Sequence, residues 1–327
     1  MGREPSWKQH QDKSKLKNLL AVFITVTLLF VIANGIAKGF SLKNSISDSQ
    51  WDSKSSFTVA VDSLNPSVFI FKPDSKSIVV LALAGDVLYE TGSFNTPLEK
   101  ISSVIDKTGG ELTSSLSQTY GTKIDNFIKL GEKSEIEKDS AQKMFIDFAS
   151  VTTPFKILTS GYSNNISSTN ITRIDAFKLW WQLKGASANS LKFADLSSYQ
   201  EEIINKENAQ VLGADTASLH RIISEYMDNF EVIEEAKNIR MRNGSRNTDA
   251  GRLASLFVAS VGGKVIDVSE GDSRQDKTQI VAADKNSYTA SYLAKIFDCD
   301  ITEAKNFKDE GEIMVIIGSD FASKYFK

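Results

Sequence analysis

The sequence predicts a mixed α/β (α+β) protein: two water-soluble parts behind one N-terminal transmembrane helix. Three observations carry that expectation. Residues 19–37 read LLAVFITVTLLFVIANGIA without a charge; residues 57–84 hold short apolar, β-branched runs broken by a turn; and residues 236–327 alternate strand-type with helix-type patterns. The expected organisation is a tail over 1–17, a membrane helix over 18–38, a linker over 39–56, a first domain over 57–235 and a small two-layer α/β domain over 236–327.

At about 1.5 Å of rise per residue, a helix of nineteen residues is about 28 Å long, close to the ~30 Å hydrocarbon thickness of a bilayer. Arg3, Lys8, Lys13, Lys15 and Lys17 precede it against Glu4 and Asp12. That basic excess keeps the N-terminus cytoplasmic and sends the bulk outside. A cleaved signal peptide is the competing reading, since Ala33, Asn34 and Gly35 put small residues after the apolar core. Both readings place the bulk outside the cytoplasm.

The chain of 327 residues has a formal charge of −3, with 38 basic and 41 acidic side chains. Because the first 17 residues hold five of the basic and two of the acidic ones, residues 18–327 carry −6. An acidic exterior argues against nucleic acid as a partner. Cys299 is the single cysteine, so no intrachain disulfide forms and the fold rests on its apolar core. The two histidines, His10 and His220, fall on opposite sides of the expected membrane. Histidine metal sites and Ser/His or Cys/His catalysis are therefore nearly excluded outside.

Residues 41–56, rich in Ser, Asp and Lys, suit a solvated stalk in which Trp51 is either an interfacial anchor or the edge of the first domain. Strand patterns then cover 57–63, 68–71 and 78–84, the last two joined as a hairpin by the turn-forming residues 72–76. Helical spacing follows over 97–107, with Leu98, Ile101, Val104 and Ile105 on one face and Gly109 and Gly110 as its stop. A short helix over 111–120 and a strand within 123–130 complete this stretch.

Taken in order, the hairpin, short helix, Gly-Gly-Glu-Leu and TYGTKIDNFIKL behind one anchor resemble the catalytic domain of the LytR-CpsA-Psr (LCP) family. The resemblance implies an extracytoplasmic protein that moves glycopolymers from a polyprenyl-pyrophosphate carrier onto the cell wall. The sequence departs from the family where its chemistry sits. In place of an Asp and Arg after the first strand stands Val61-Asp62-Ser63-Leu64; an Arg-x-Asp element is reduced to Asn65-Pro66-Ser67; and Pro-Arg-Asp becomes Ala84-Gly85-Asp86. Asp62 and Asp86 survive without an adjacent arginine. Holding a pyrophosphate takes forked cations, or a metal with cations, so two bare carboxylates would repel it unless Mg²⁺ sat between them. The alternatives for the pair are Mg²⁺ ligands and turn residues at strand ends.

Further on, residues 131–150 begin charged and end helical at Met144, Phe145 and Phe148. Residues 171–184, ITRIDAFKLWWQLK, spread apolar side chains over more than half of a helix, which predicts deep packing of Trp180 and Trp181. Residues 195–213 read as a polar surface end, and 219–235 as one amphipathic stretch. The last ~90 residues predict a strand at 239–241, a turn, a helix over 249–262, strands at 265–268 and 278–282, a helix over 288–297 and a strand at 313–317.

That last pattern resembles the LytR C-terminal domain over about 237–323, through Arg242-Asn243-Gly244-Ser245, Ala250-Gly251-Arg252-Leu253-Ala254, Thr278-Gln279-Ile280-Val281 and Val315-Ile316-Ile317-Gly318-Ser319-Asp320-Phe321. The resemblance implies an accessory envelope module and no reaction. Within it, Asn243, Gly244, Ser245 and Arg246 precede a helix N-terminus, where an anion could bind, or where Thr248 or Asp249 simply caps the helix.

Two functional readings follow. The first is a membrane-anchored, non-catalytic protein that binds or scaffolds at the cell wall or with an envelope protein, with no cofactor. The second is a divergent LCP-type phosphotransferase that uses Asp62, Asp86 and Mg²⁺ with a recruited cation such as Lys72 or Lys123.

Overall fold

The computed structural model describes residues 49–91, 94–97, 110–159, 165–184, 186–204, 208–304 and 312–326. The expected tail, membrane helix, most of the linker and the helix over 97–107 lie outside the described residues, apart from Pro97. Among the described residues no helix is long and apolar enough to cross a membrane.

Contacts divide the chain into a smaller unit, residues 1–50 with 172–175, and a larger one, residues 51–171 with 176–327. In the smaller unit Asp175 is buried and accepts from the Ser49 hydroxyl at 2.6 Å and the Gln50 N–H at 3.1 Å. Thr172 Oγ1 accepts from the Asp175 N–H at 3.0 Å and so caps the helix that starts there.

The larger unit opens with β1 (Phe57–Asp62), β2 (Ser67–Lys72), β3 (Ser77–Ala82), β4 (Leu88–Thr91) and β5 (Phe94–Pro97). Next come α1 (Gly110–Tyr120), β6 (Asn126–Leu130), α2 (Lys138–Ala149), α3 (Thr153–Thr159), β7 (Ile166–Thr169), α4 (Arg173–Leu183), β8 (Leu191–Asp195), β9 (Gln200–Ile204) and β10 (Gln210–Ala214). Then follow α5 (Thr216–Met227), α6 (Phe230–Glu235), β11 (Asn238–Asn243), α7 (Thr248–Ser260), β12 (Lys264–Glu270), β13 (Gln279–Ala282), α8 (Tyr288–Phe297), β14 (Asp300–Glu303), β15 (Glu312–Ile317) and α9 (Ser319–Tyr325).

A six-stranded sheet, β7-β6-β1-β2-β3-β8, is covered on both faces. Ala60, Val68, Ile70, Val79 and Leu81 pack with Leu112, Leu116 and Tyr120 of α1 and Leu219, Ile223 and Met227 of α5. On the other face Phe57, Val59, Val61, Ile78 and Val80 meet Ala141 and Phe145 of α2 and Leu183 of α4. Double coverage explains why β1 to β3 read as near-continuous apolar runs. β1 to β3 form antiparallel pairs, with Val61 opposite Ser67 and Ser67 opposite Ala82, so β1 and β3 end at the same edge.

A second sheet, β5-β4-β10-β9, draws two strands from the polar surface stretch over 195–213. Its strands were masked by charge: β9 is QEEII, with Glu201, Glu202 and Ile204 exposed, an edge whose alternation is overwritten by solvated side chains. The amphipathic stretch over 219–235 forms two helices, α5 and α6. It breaks at Asp228 and Asn229, whose side chain accepts from the Val232 N–H and starts α6 afresh.

The third sheet, β12-β11-β15-β13-β14, is mixed, with α7, α8 and α9 supplying one core. Alternation along β11 puts Ile239, Met241 and Asn243 inward and Arg240 and Arg242 on the open face, where Arg242 pairs with Asp267. The sheet with helices on its buried face is the two-layer arrangement expected. Strand β14 and helix α9 were not foreseen. α9 places Phe321 against Phe257, Phe297 and Tyr325, with ring centroids 5.7, 5.6 and 4.9 Å away.

The structure decides the alternatives for Trp51 and corrects the expectation for Trp181. Trp51 is buried, its ring centroid 4.9 Å from that of Phe57 and 6.0 Å from that of Phe71, so it belongs to the core rather than an interface. The deep packing predicted for α4 holds for Trp180 and Leu183 but fails for Trp181, which is 56% exposed, and for Phe177, 38% exposed. A helix laid on one layer buries only one side, and the apolar residues on its far side remain in solvent.

Candidate functional site

Asp62 is the last residue of β1 and is 1% exposed. Lys133 Nζ lies 2.8 Å from its Oδ1 and is 30% exposed. The contact is an ion pair, and among the described residues neither carboxylate oxygen has an aligned hydrogen-bond donor. Parallel pairing of β1 with β6 sets Asp62 beside Lys129, so the chain leaving β6 carries Lys133 past the end of β1. Lys133 was absent from the sequence reading. The signal for it was positional: a charged turn, GEKSE, directly after the strand that neighbours β1.

The shortened stretch after Asp62 is clamped to this same turn. The Leu64 N–H donates to Ser134 O at 3.2 Å, Asn65 Nδ2 donates to Ile136 O at 3.0 Å, and the Ile136 N–H donates to Asn65 Oδ1 at 2.6 Å. Ser63 and Ser67 hydroxyls both donate to Asn65 O at 2.8 Å. Between β1 and β2 the chain folds down so that Leu64 and Asn65 bind the loop that brings Lys133. The end of β1 is closed.

Asp86 sits in an exposed bend four residues past β3, and the next residue, Val87, is buried. Because one strand lies between β1 and β3, the two aspartates leave the sheet edge on strands about 10 Å apart. The cations proposed to assist are engaged elsewhere. Lys72 Nζ donates to Asp228 O at 3.4 Å, and Lys123 Nζ donates to Lys295 O at 2.9 Å and pairs with Asp125 at 2.9 Å. No arginine occurs between residues 4 and 172.

These residues do not fit Mg²⁺. The ion needs several oxygen ligands in octahedral geometry at about 2.1 Å, whereas Asp62 is closed by an ammonium and Asp86 faces solvent. Among the described residues no group of three or more His, Cys, Asp or Glu side chains is arranged to hold a metal ion.

At the second candidate position, Asn243 and Ser245 are buried and Arg246 is exposed. Gly244 N–H donates to Ile317 O at 2.9 Å; Ser245 N–H and Oγ both donate to Asn243 Oδ1, at 3.2 and 2.7 Å; and Asn247 N–H donates to Ser245 Oγ at 3.2 Å. The cap of α7 is Asn247, whose side chain accepts from the Asp249 N–H at 2.8 Å. Asn243 Nδ2 reaches Asn247 O at 3.0 Å and Glu270 Oε1 at 3.3 Å. These turn donors are used within the fold, and the nearest carboxylate is negative.

No family model matches the chain, and no curated protein matches it. Among solved structures, TagV of Bacillus subtilis is similar with a TM-score of 0.41 and 11% identity, over 53% of this chain and 98% of its own. A transcriptional regulator from Enterococcus faecalis is similar with a TM-score of 0.41 and 11% identity, over 65% of this chain and 90% of its own. TagT bound to LIIa-WTA has a TM-score of 0.34 and 12% identity, over 52% and 89%. At these scores the likeness assigns no activity to this chain.

Proposed function

We propose that this protein is a membrane-anchored, extracytoplasmic envelope protein that binds or scaffolds at the cell wall, or with an envelope protein, without transferring a glycopolymer. Its first domain is LCP-like and its last 92 residues, 236–327, are a LytR C-terminal-like module. The anchor rests on the uncharged run 19–37 and its basic flank, and the module rests on the residues quoted for it above.

The observation that supports loss of transfer is the closed end of β1. A leaving pyrophosphate carries several negative charges and needs preorganised cations aimed at it. Here Lys133 is consumed by Asp62, and the turn over 63–67 is bound to Ser134 and Ile136. The rival reading, a phosphotransferase built on Asp62 and Asp86 with Mg²⁺, requires that turn to open.

The test is binding of the carrier to the purified full-length protein in detergent. Mass spectrometry for co-purified polyprenyl lipid, and thermal shift with polyprenyl pyrophosphate, are expected to be negative with and without Mg²⁺. A Mg²⁺-dependent shift that disappears in Asp86→Ala supports the rival instead.

A further inference from the structure

We propose that the exposed aromatic stripe of α4 rests on the lipid interface of the bilayer that anchors the chain; this rests on the membrane anchoring proposed above. Phe177 and Trp181 are one helical turn apart, their rings 6.4 Å between centroids and inclined by 27°. Both point into solvent, and Lys184 Nζ lies 3.0 Å from the centroid of the Trp181 ring. Trp180 turns the other way and donates its indole N–H to Ser150 O at 2.8 Å. That bond brings Val151, the next residue and 78% exposed, to the side of α4. Indole beside an ammonium on an apolar base is the chemistry of a bilayer interface, where the ring lies at headgroup level and the lysine stem runs along apolar surface with its charge in water.

Position in the chain selects lipid as the occupant. Lys178 Nζ donates to Trp51 O and Gln182 Nε2 donates to Ser53 O at 2.8 Å, so the segment arriving from the N-terminus runs along α4. Phe177 and Trp181 each precede one of those two helix residues. Only 13 residues separate Ala37, the end of the apolar run, from Trp51. Fully extended they span at most about 45 Å, so the stripe is tethered within reach of the membrane surface. Charge agrees locally: residues 18–327 are net acidic, while the stripe itself carries the Lys184 ammonium, beside Trp181, toward anionic headgroups. A glycan is the poorer fit, since Lys184 already covers one face of the indole that a pyranose would stack on.

The experiment uses the full-length protein reconstituted into mixed phosphatidylcholine and phosphatidylglycerol vesicles, with Cys299→Ala and an environment-sensitive fluorophore at Phe177→Cys. Val151→Cys serves as a second labelled site and Glu201→Cys, on the exposed edge strand β9, as the reference. Flotation reports anchoring, and quenching by headgroup-level nitroxide lipids reports contact. The expected result is flotation of all three, with positions 177 and 151 blue-shifted and quenched by about twofold or more relative to 201. Flotation with equal, weak quenching at all three sites overturns the inference, leaves the anchor standing and gives the stripe to a glycan or protein. Failure to float overturns the anchor and this inference with it.

Discussion

Asp62 and Lys133 form a pair in which one member is sealed and the other still touches water. Removing one partner of a fully buried pair costs about 3–5 kcal/mol, and the partial exposure of Lys133 reduces that to about 1–3 kcal/mol for Lys133→Met. Urea unfolding measures it, and adding Asp62→Asn should restore most of the loss, because the orphaned charge is then gone. Cys299 gives a second prediction at this scale. Burial, followed by the nearby Asp320, Asp300 and Asp298, pushes its thiol up to about 12. At pH 8 almost no thiolate exists in the folded protein, so a disulfide reagent should label native Cys299 about 100-fold more slowly than the urea-unfolded chain. Equal rates would mean that the thiol is not enclosed. The sequence showed the two aspartates and their missing arginines, but not Lys133. Its meeting with Asp62 depends on the pairing of β1 with β6 across more than sixty residues of chain.

Among the elements, α9 is the smallest whose loss should be felt throughout its sheet. Phe321 closes an aromatic cluster with Phe257, Phe297 and Tyr325, so Phe321→Ala is expected to cost about 3–5 kcal/mol in chemical denaturation. Seven residues with three inward side chains carry too little periodicity for sequence to reveal α9. By contrast β1 to β3 were legible because both faces are covered. The α4 stretch misled for the opposite reason: apolar residues all round a helix read as burial, and only the fold shows which side lacks a neighbour. Acid sensitivity also belongs to this scale. Burial works to raise the Glu235 carboxyl, but hydrogen bonds from Thr289 and Ser287 at the start of α8 outweigh it and leave the group below the usual range. A lowered folded pKa means that the stabilisation is complete above about pH 4.3 and is lost as pH falls through the folded value. The stability gap between wild type and Glu235→Gln, about 0.5–1.5 kcal/mol at pH 6, should therefore close below pH 4.

Across the larger unit, residues on either side of position 235 are joined by hydrogen bonds. Ser260 Oγ donates to Thr122 Oγ1 at 2.9 Å, Gln118 Nε2 to Tyr325 O at 2.8 Å, and the Asn229 N–H to Val261 O at 3.2 Å. Gly121 stands at this joint with φ of +61°, and a Cβ there would lie 3.0 Å from both His220 and Leu256. Gly121→Ala is expected to cost about 1–2 kcal/mol and to lower the whole unfolding transition rather than split it. Two resolved transitions in calorimetry would show that the parts unfold separately. Both folds were readable as classes from strand and helix patterns, whereas their joint was not, since it consists of hydrogen bonds between residues far apart in sequence that no local pattern encodes. The central claim is that this scaffold does not transfer glycopolymer. The most direct measurement incubates the purified full-length protein with a polyprenyl-pyrophosphate-linked oligosaccharide and peptidoglycan, with and without Mg²⁺, and follows label into the wall fraction. The account predicts no incorporation above the protein-free control; Mg²⁺-dependent incorporation that Asp86→Ala abolishes, in a protein that remains folded, would contradict it.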